Sequence, residues 1–158
     1  GLAHPFQTCV RGIQGSLIPV VFISIVVGYG TAVQATPVFG WLVEQVLSLD
    51  MNPYLLTFVA VNLLAGMTAN GTGGVTLFME NFGATILGNP AINVGALHRI
   101  AAISGAGFDS LPHNGAIAFQ LSVFKLSYKD GYFQQFMMSV LVNLLAGLLA
   151  VLMAVVLF

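Results

Sequence analysis

The chain has 158 residues, 58% of them apolar and only 6% charged, with four Lys and Arg against five Asp and Glu. Soluble domains carry about 25% charged residues, so this sequence lacks the polar surface that keeps a folded domain in water, and a mean hydropathy of +0.95 points to the bilayer as its solvent. A net charge of −1 gives no basic footprint for nucleic acid, and the single cysteine, Cys9, excludes an internal disulfide and a Cys-based zinc site.

No charge lies between Arg11 and Glu44, between Asp50 and Glu80, or after Asp130. Within the first gap, Ser16 to Val33 is an 18-residue uncharged stretch, just long enough to cross the hydrocarbon at about 1.5 Å per residue. Pro19 is expected in its first turn, where a missing N–H costs little. Pro37 to Leu49 sets Trp41, Glu44 and Gln45 among apolar residues, the pattern of a helix lying at the membrane interface.

Residues 54–87 have a different form. Tyr54 to Met67 and Val75 to Leu87 are mostly apolar arms on either side of TANGTGG, Thr68 to Gly74. Each arm spans roughly 20 Å as helix, short of the roughly 30 Å hydrocarbon core. The expectation is a re-entrant hairpin whose small, polar tip is covered by protein or lines a watery cavity. Thr68, Asn70, Thr72, Gly73 and Gly74 would offer hydroxyl, amide and backbone donors there, and the end of the half-helix starting near Val75 suits a carboxylate. No Gly-Lys-Ser/Thr follows, so the tip is no P-loop.

Residues 93–126 repeat the theme. Asn93 to Gly107 is a helical arm, FDSLPHNG interrupts it, and Ala116 to Leu126 is a second arm. Gly105, Gly107, Pro112 and Gly115 break regular hydrogen bonding, predicting a discontinuous helix. Met137 to Phe158 is a final uncharged span of 22 residues. With Arg11, Lys125 and Lys129 all cytoplasmic, an even number of crossings must separate them: the first span supplies one, the hairpin none and the broken helix one, and two closely spaced full spans in place of the hairpin would satisfy the same parity. The sequence VNLLAG occurs at Val61–Gly66 and again at Val142–Gly147, through coincidence or through a shared packing use of Asn and Gly.

Two roles fit Asp109. A carboxylate in a membrane helix costs about 2.5 to 3.5 kcal/mol on insertion scales, which a proton or cation site would justify, because a carboxyl group withdrawn from water can load and unload protons. The alternative is a cap for the next helical piece. His113, in the same interruption, is either a proton relay or a structural imidazole. Glu80 is either a second protonatable group or a hydrated one near the mouth. Beside His98, Arg99 either snorkels or attracts an incoming anion. A membrane-embedded enzyme using Asp109 and His113 is a competing reading, but no HExxH or GxSxG accompanies them. A channel or structural subunit is another.

The run LHRIAAISGAGFDSLPHNGA, Leu97 to Ala116, closely resembles the gluconate permease (GntP) family of proton symporters, with VVGYGTAVQATPVF (Val26–Phe39) and NLLAGMTANGTGG (Asn62–Gly74) extending the likeness. The tip TANGTGG and the later FKLSYKDGY depart from that family's pattern. The resemblance implies an all-α integral membrane protein of the ion transporter superfamily: one inverted-repeat half of a secondary transporter in the bacterial inner membrane, multi-pass, taking up gluconate or a related hydroxy acid with protons. The chain would then be the C-terminal portion of a longer carrier, its partners the substrate anion, the lipid bilayer, the missing N-terminal repeat and, as an open point, further copies of itself. No cofactor is expected; the coupling ion is H+, with Na+ open. Carried over by position, Thr68, Asn70, Thr72, Gly73, Gly74, Ser104, Ser110 and Asn114 would bind substrate, and Asp109 and His113 would handle the proton.

Overall fold

The computed structural model describes residues 5–158, apart from the side chains at positions 19, 22, 23, 26, 27 and 47, and every regular element among them is helical. The first helix, α1, runs Pro5–Gln34. It starts well before the expected Ser16, so position 19 lies in the interior of the helix and not in its first turn. Next comes α2, Pro37–Leu47, with Pro37 in its first turn and the Thr36 hydroxyl accepting from the Phe39 N–H, a capping arrangement that fixes the start. Phe39, Val43 and Val46 are buried while Trp41, Glu44 and Gln45 are exposed. This three-and-four spacing is that of a helix lying with one face on the core.

The central element is α3, Pro53–Thr68, started by an Asn52 cap and Pro53. It packs on α1, α4, α5 and α8. A helix that is apolar on all sides needs such burial, and Ala60, Val61 and Ala65 are fully enclosed. Helix α4, Gly71–Leu87, folds straight back along it. Only Ala69 and Asn70 separate the two helices, so the expected tip shrinks to a two-residue turn. Ala69 takes the left-handed conformation at φ 51°, and Asn70 caps α4 by accepting from the Gly73 N–H. Gly71 to Gly74 thereby become the first turn of α4 instead of loop. Phe78 and Phe82, one turn apart, stack at 5.1 Å between ring centroids and are almost wholly buried. Phe78→Ala is expected to cost about 3 kcal/mol through the cavity it leaves, read as a lower unfolding midpoint of the detergent-solubilised protein.

Helix α5, Val94–Gly105, starts on an Asn93 cap and ends at the interruption. Asn93 also donates its N–H to the Tyr54 hydroxyl at 2.8 Å, pinning the start of α5 to the start of α3. After a 3-10 turn at Phe108–Ser110, α6 runs Gly115–Val123 and packs on α1 and α7. Helix α7, Tyr128–Gln135, continues through a π-helical turn at Phe136–Leu141 into α8, Val142–Leu157. The last helical stretch thus begins before the expected Met137.

Tyr128–Leu157 is the one helix among the described residues long and apolar enough to cross a membrane. Its packing reverses the soluble pattern: Gly147, Val151 and Ala154 are buried, while Leu145, Leu149, Leu152, Met153 and Val156 are exposed. Small residues at the helix contact and large aliphatics outward suit a lipid surround, and so broad an exposed apolar surface is not that of a soluble monomer.

Candidate functional site

The turn between α3 and α4 and the interruption after α5 meet in space. A β-carbon on Gly71 would overlap the Gly105 carbonyl oxygen, so the first residue of α4 lies directly against the last of α5. Glycine is required where backbones approach this closely. Gly74 does the same further along, where a β-carbon would stand 2.5 Å from the Ala65 nitrogen of α3.

Asn114 fastens the two interruptions together. It is buried, and its amide nitrogen donates to the Ala69 carbonyl at 2.9 Å and to Asp109 Oδ1 at 2.8 Å. Its Oδ1 accepts from the N–H groups of Ala116 and Ile117, capping α6. All of its strong hydrogen-bonding capacity is used, which fixes the rotamer and so fixes Asp109. Asp109, half-buried in the 3-10 turn, also accepts from the Gly71 N–H. One carboxylate therefore touches the start of α4 and the cap of α6, where helix termini carry partial positive charge.

Beside it opens a cavity of ≈ 410 Å³, walled by Gly71, Thr72 and Val75 on one side and Gly105, Ala106 and Asp109 on the other. That lies within the range of about 300 to 1,000 Å³ typical of small-molecule sites. Its polar side chains are the Asp109 carboxylate and the exposed Thr72 hydroxyl, with small residues keeping the space open.

The other sequence-derived residues fall around this centre. Gly73 donates its N–H to Asn70 Oδ1 at 3.1 Å and Gly74 to the Asn70 carbonyl at 2.9 Å, so both donors are spent within the turn. Thr68 and Ser104 are buried, and their hydroxyls donate back to the carbonyls of Leu64 and Ile100 at 2.8 and 2.7 Å. Ser110 is half-buried in the 3-10 turn. His113 lies apart from the Asp109 carboxylate's own bonds: its Nε2 is 2.7 Å from the Gly66 carbonyl, and its ring meets Tyr29 edge-on at 6.1 Å. Because a carbonyl can only accept, Nε2 carries a proton. Glu80 and Arg99 are exposed and stand outside the cavity wall. Among the described residues no group of three His, Cys, Asp or Glu is placed to hold a metal ion.

Sequence reasoning missed the residues that satisfy the interruption's own backbone. Tyr132 and Tyr128 of α7 donate their hydroxyls to the carbonyls of Ser110 and Pro112, at 3.2 and 3.0 Å. Asn62 accepts from the Phe108 N–H at 3.3 Å, and Asn143 donates to the Ala106 carbonyl at the same distance. The available signals were the four-residue spacing of the two tyrosines, which places both on one helix face, and the repeated VNLLAG.

Over 125 residues, 77% of its length, the chain is 28% identical to an uncharacterized transporter, YxjC, of Bacillus subtilis (strain 168). It spans about a quarter of that protein's length, 26%. No protein-family model matches the chain, so the likeness to gluconate permeases rests on the quoted motifs alone. No solved structure matches it either.

Proposed function

We propose that this chain forms part of the transport path of a secondary transporter that couples proton entry to the uptake of gluconate or a related hydroxy acid across the bacterial cytoplasmic membrane. The observation that carries the reading is the meeting of two helix interruptions at Asp109, through Asn114 and the Gly71–Gly105 contact, on the wall of an open cavity. Broken helices with termini aimed at a polar site are how carriers bind organic anions inside a bilayer. The similarity to a protein named as a transporter supports the transport class; gluconate and the proton come from the LPHNGA resemblance.

In this reading α3 and α4, 16 and 17 residues long, form a re-entrant hairpin, since each reaches about 25 Å against a core of about 30 Å. The interruption after α5 forms the matching broken helix, and a second inverted repeat in a longer protein closes the cavity. Thr72 and Ser110, with the turn residue Asn70, hold the substrate's carboxylate and hydroxyls; Thr68, Gly73, Gly74, Ser104 and Asn114, whose amide is fully bonded within the junction, keep the two interruptions in shape. Asp109 takes the coupling proton, and His113 relays it from the α1 side.

The test is uptake of labelled gluconate by the full-length protein in proteoliposomes under an inward proton gradient. Accumulation above equilibrium, collapsed by a protonophore, is the expected result. Equilibration that ignores the protonophore would identify a channel, and accumulation that follows a sodium gradient instead would replace the coupling ion.

A further inference from the structure

The two copies of VNLLAG act on one piece of backbone. In each copy Asn and Gly are four residues apart, which sets both on one helix face. In the first, on α3, Asn62 Nδ2 donates to the Phe58 carbonyl at 2.9 Å, leaving Oδ1 to accept the Phe108 N–H at 3.3 Å. One turn on, a β-carbon on Gly66 would stand 3.0 Å from that of Phe108, so the glycine makes room for the residue its Asn binds. In the second copy, on α8, Asn143 Nδ2 donates to the Ala106 carbonyl at 3.3 Å and to the Ser139 carbonyl at 2.5 Å, the latter within the π-helical turn that precedes it. Gly147 there makes room for Phe58, the residue whose carbonyl orients Asn62.

Between the two amides sits Gly107. A β-carbon on it would overlap Asn62 Oδ1 on the α3 side and lie 3.4 Å from Leu144, the neighbour of Asn143, on the α8 side. A helix that stops inside a protein leaves N–H and C=O groups without partners, and buried ones must find them. Here one Asn supplies the acceptor and the other the donor, on opposite sides of Gly107, which lies two residues past the end of α5 and two before Asp109.

We infer that the two VNLLAG copies form a two-sided clamp on the α5 interruption, and that Asn62 and Asn143 are positioning residues that set where the Asp109 carboxylate stands. That last step rests on the transporter reading above; the clamp does not. Its signature is local. Asn62→Leu and Asn143→Leu in the full-length protein should each raise amide hydrogen exchange of peptides covering 105–110 by about tenfold, the effect of one lost hydrogen bond, while the α4 peptide around Phe78 keeps its protection. The double variant should exceed the product of the two singles, because either amide alone still holds one side of the same backbone. Asn62→Ala, which removes the same acceptor while adding no bulk and favouring the helix, should raise exchange at 105–110 by the same factor, and it covers the case in which the leucine variant does not fold.

Unchanged exchange at 105–110 in both leucine variants, or a uniform rise that includes α4, would overturn the clamp. The same variants, assayed with labelled gluconate, should lose proton-driven accumulation more than gluconate exchange; equal loss of both would overturn the positioning of Asp109. Hydrogen exchange needs no substrate, so a protein that ignores gluconate altogether would sink the transport reading and leave the clamp to be judged on its own.

Discussion

Gly71→Ala should destroy the junction on which the whole site stands. The added methyl would fall on the Gly105 carbonyl oxygen, 3.0 Å from the carbonyl carbon and 3.3 Å from Asp109 Oδ2. The obstruction is main chain at the end of α5, so no side chain can swing aside to admit it. The reciprocal position is equally tight: a β-carbon on Gly105 would lie 3.0 Å from Val75 Cγ2 and 3.2 Å from the Gly71 carbonyl. Overpacking of this kind costs about 3 kcal/mol, a large share of the stability of any domain, and the strain is directed at the pair of backbones that bracket the cavity. The measurement is the thermal midpoint of the purified full-length protein in detergent, alongside its yield from the membrane. Two substitutions serve as controls. Gly73→Ala meets only the Asn70 side chain, at 3.3 to 3.5 Å, and Gly28→Ala meets nothing within 4 Å on the exposed side of α1. The second removes a helix-interior glycine without a clash, which favours the folded state by up to about 1 kcal/mol. If Gly71→Ala melts with Gly28→Ala, the close approach of α4 to α5 is wrong.

That contact also shows where the sequence stops being readable. Helix content followed directly from uncharged apolar runs, and several starts were marked by local chemistry that needs no tertiary partner: Thr36 before Pro37, Asn52 before Pro53, Asn93 before Val94. The interruption was legible only in outline: α5 stops at Gly105, two residues before the expected Gly107, and Gly115 opens α6 instead of breaking it. TANGTGG misled because glycine is counted as a helix breaker. Its glycines are instead admitted into α4 by the Asn70 cap and required there by Gly105 and Ala65, residues that no local pattern connects to them.

The supporting polar residues were hidden for the same reason. Asn62 and Asn143 bond backbone groups 46 and 37 residues away in the chain, and Tyr128 and Tyr132 bond carbonyls 16 and 22 residues away. A main-chain partner leaves no complementary side chain in the sequence to pair with. What remained visible was the repeat itself: in both copies the Asn reaches the same interruption and the Gly admits a phenylalanine. The candidate residues likewise divide by what their hydrogen bonds leave over. Thr68 and Ser104 donate into their own helices, whereas Thr72 and Asp109 line the open space.

Asp109→Asn separates the two roles that the carboxylate can play. As an acceptor, Asp109 receives the Asn114 amide at 2.8 Å and the Gly71 N–H. An asparagine has the same shape but one acceptor oxygen, so it keeps one of these bonds and turns an NH₂ toward the other donor, at a cost of about 1 to 2 kcal/mol. The fold should therefore survive, with Asn114 still capping α6. As a proton carrier, by contrast, the amide is inert across the working pH range. On the proposed mechanism the variant should lose proton-driven accumulation of labelled gluconate and retain exchange of external for internal gluconate, because exchange returns a loaded carrier and moves no net proton. The two assays on one proteoliposome preparation decide the matter. Retained accumulation would remove Asp109 from the coupling step and leave it as a cap. Loss of exchange with an unchanged melting midpoint would make it part of the substrate site itself, in which case the carboxylate orders the donors of α4 and α6 that receive the anion, and the coupling proton must be carried elsewhere.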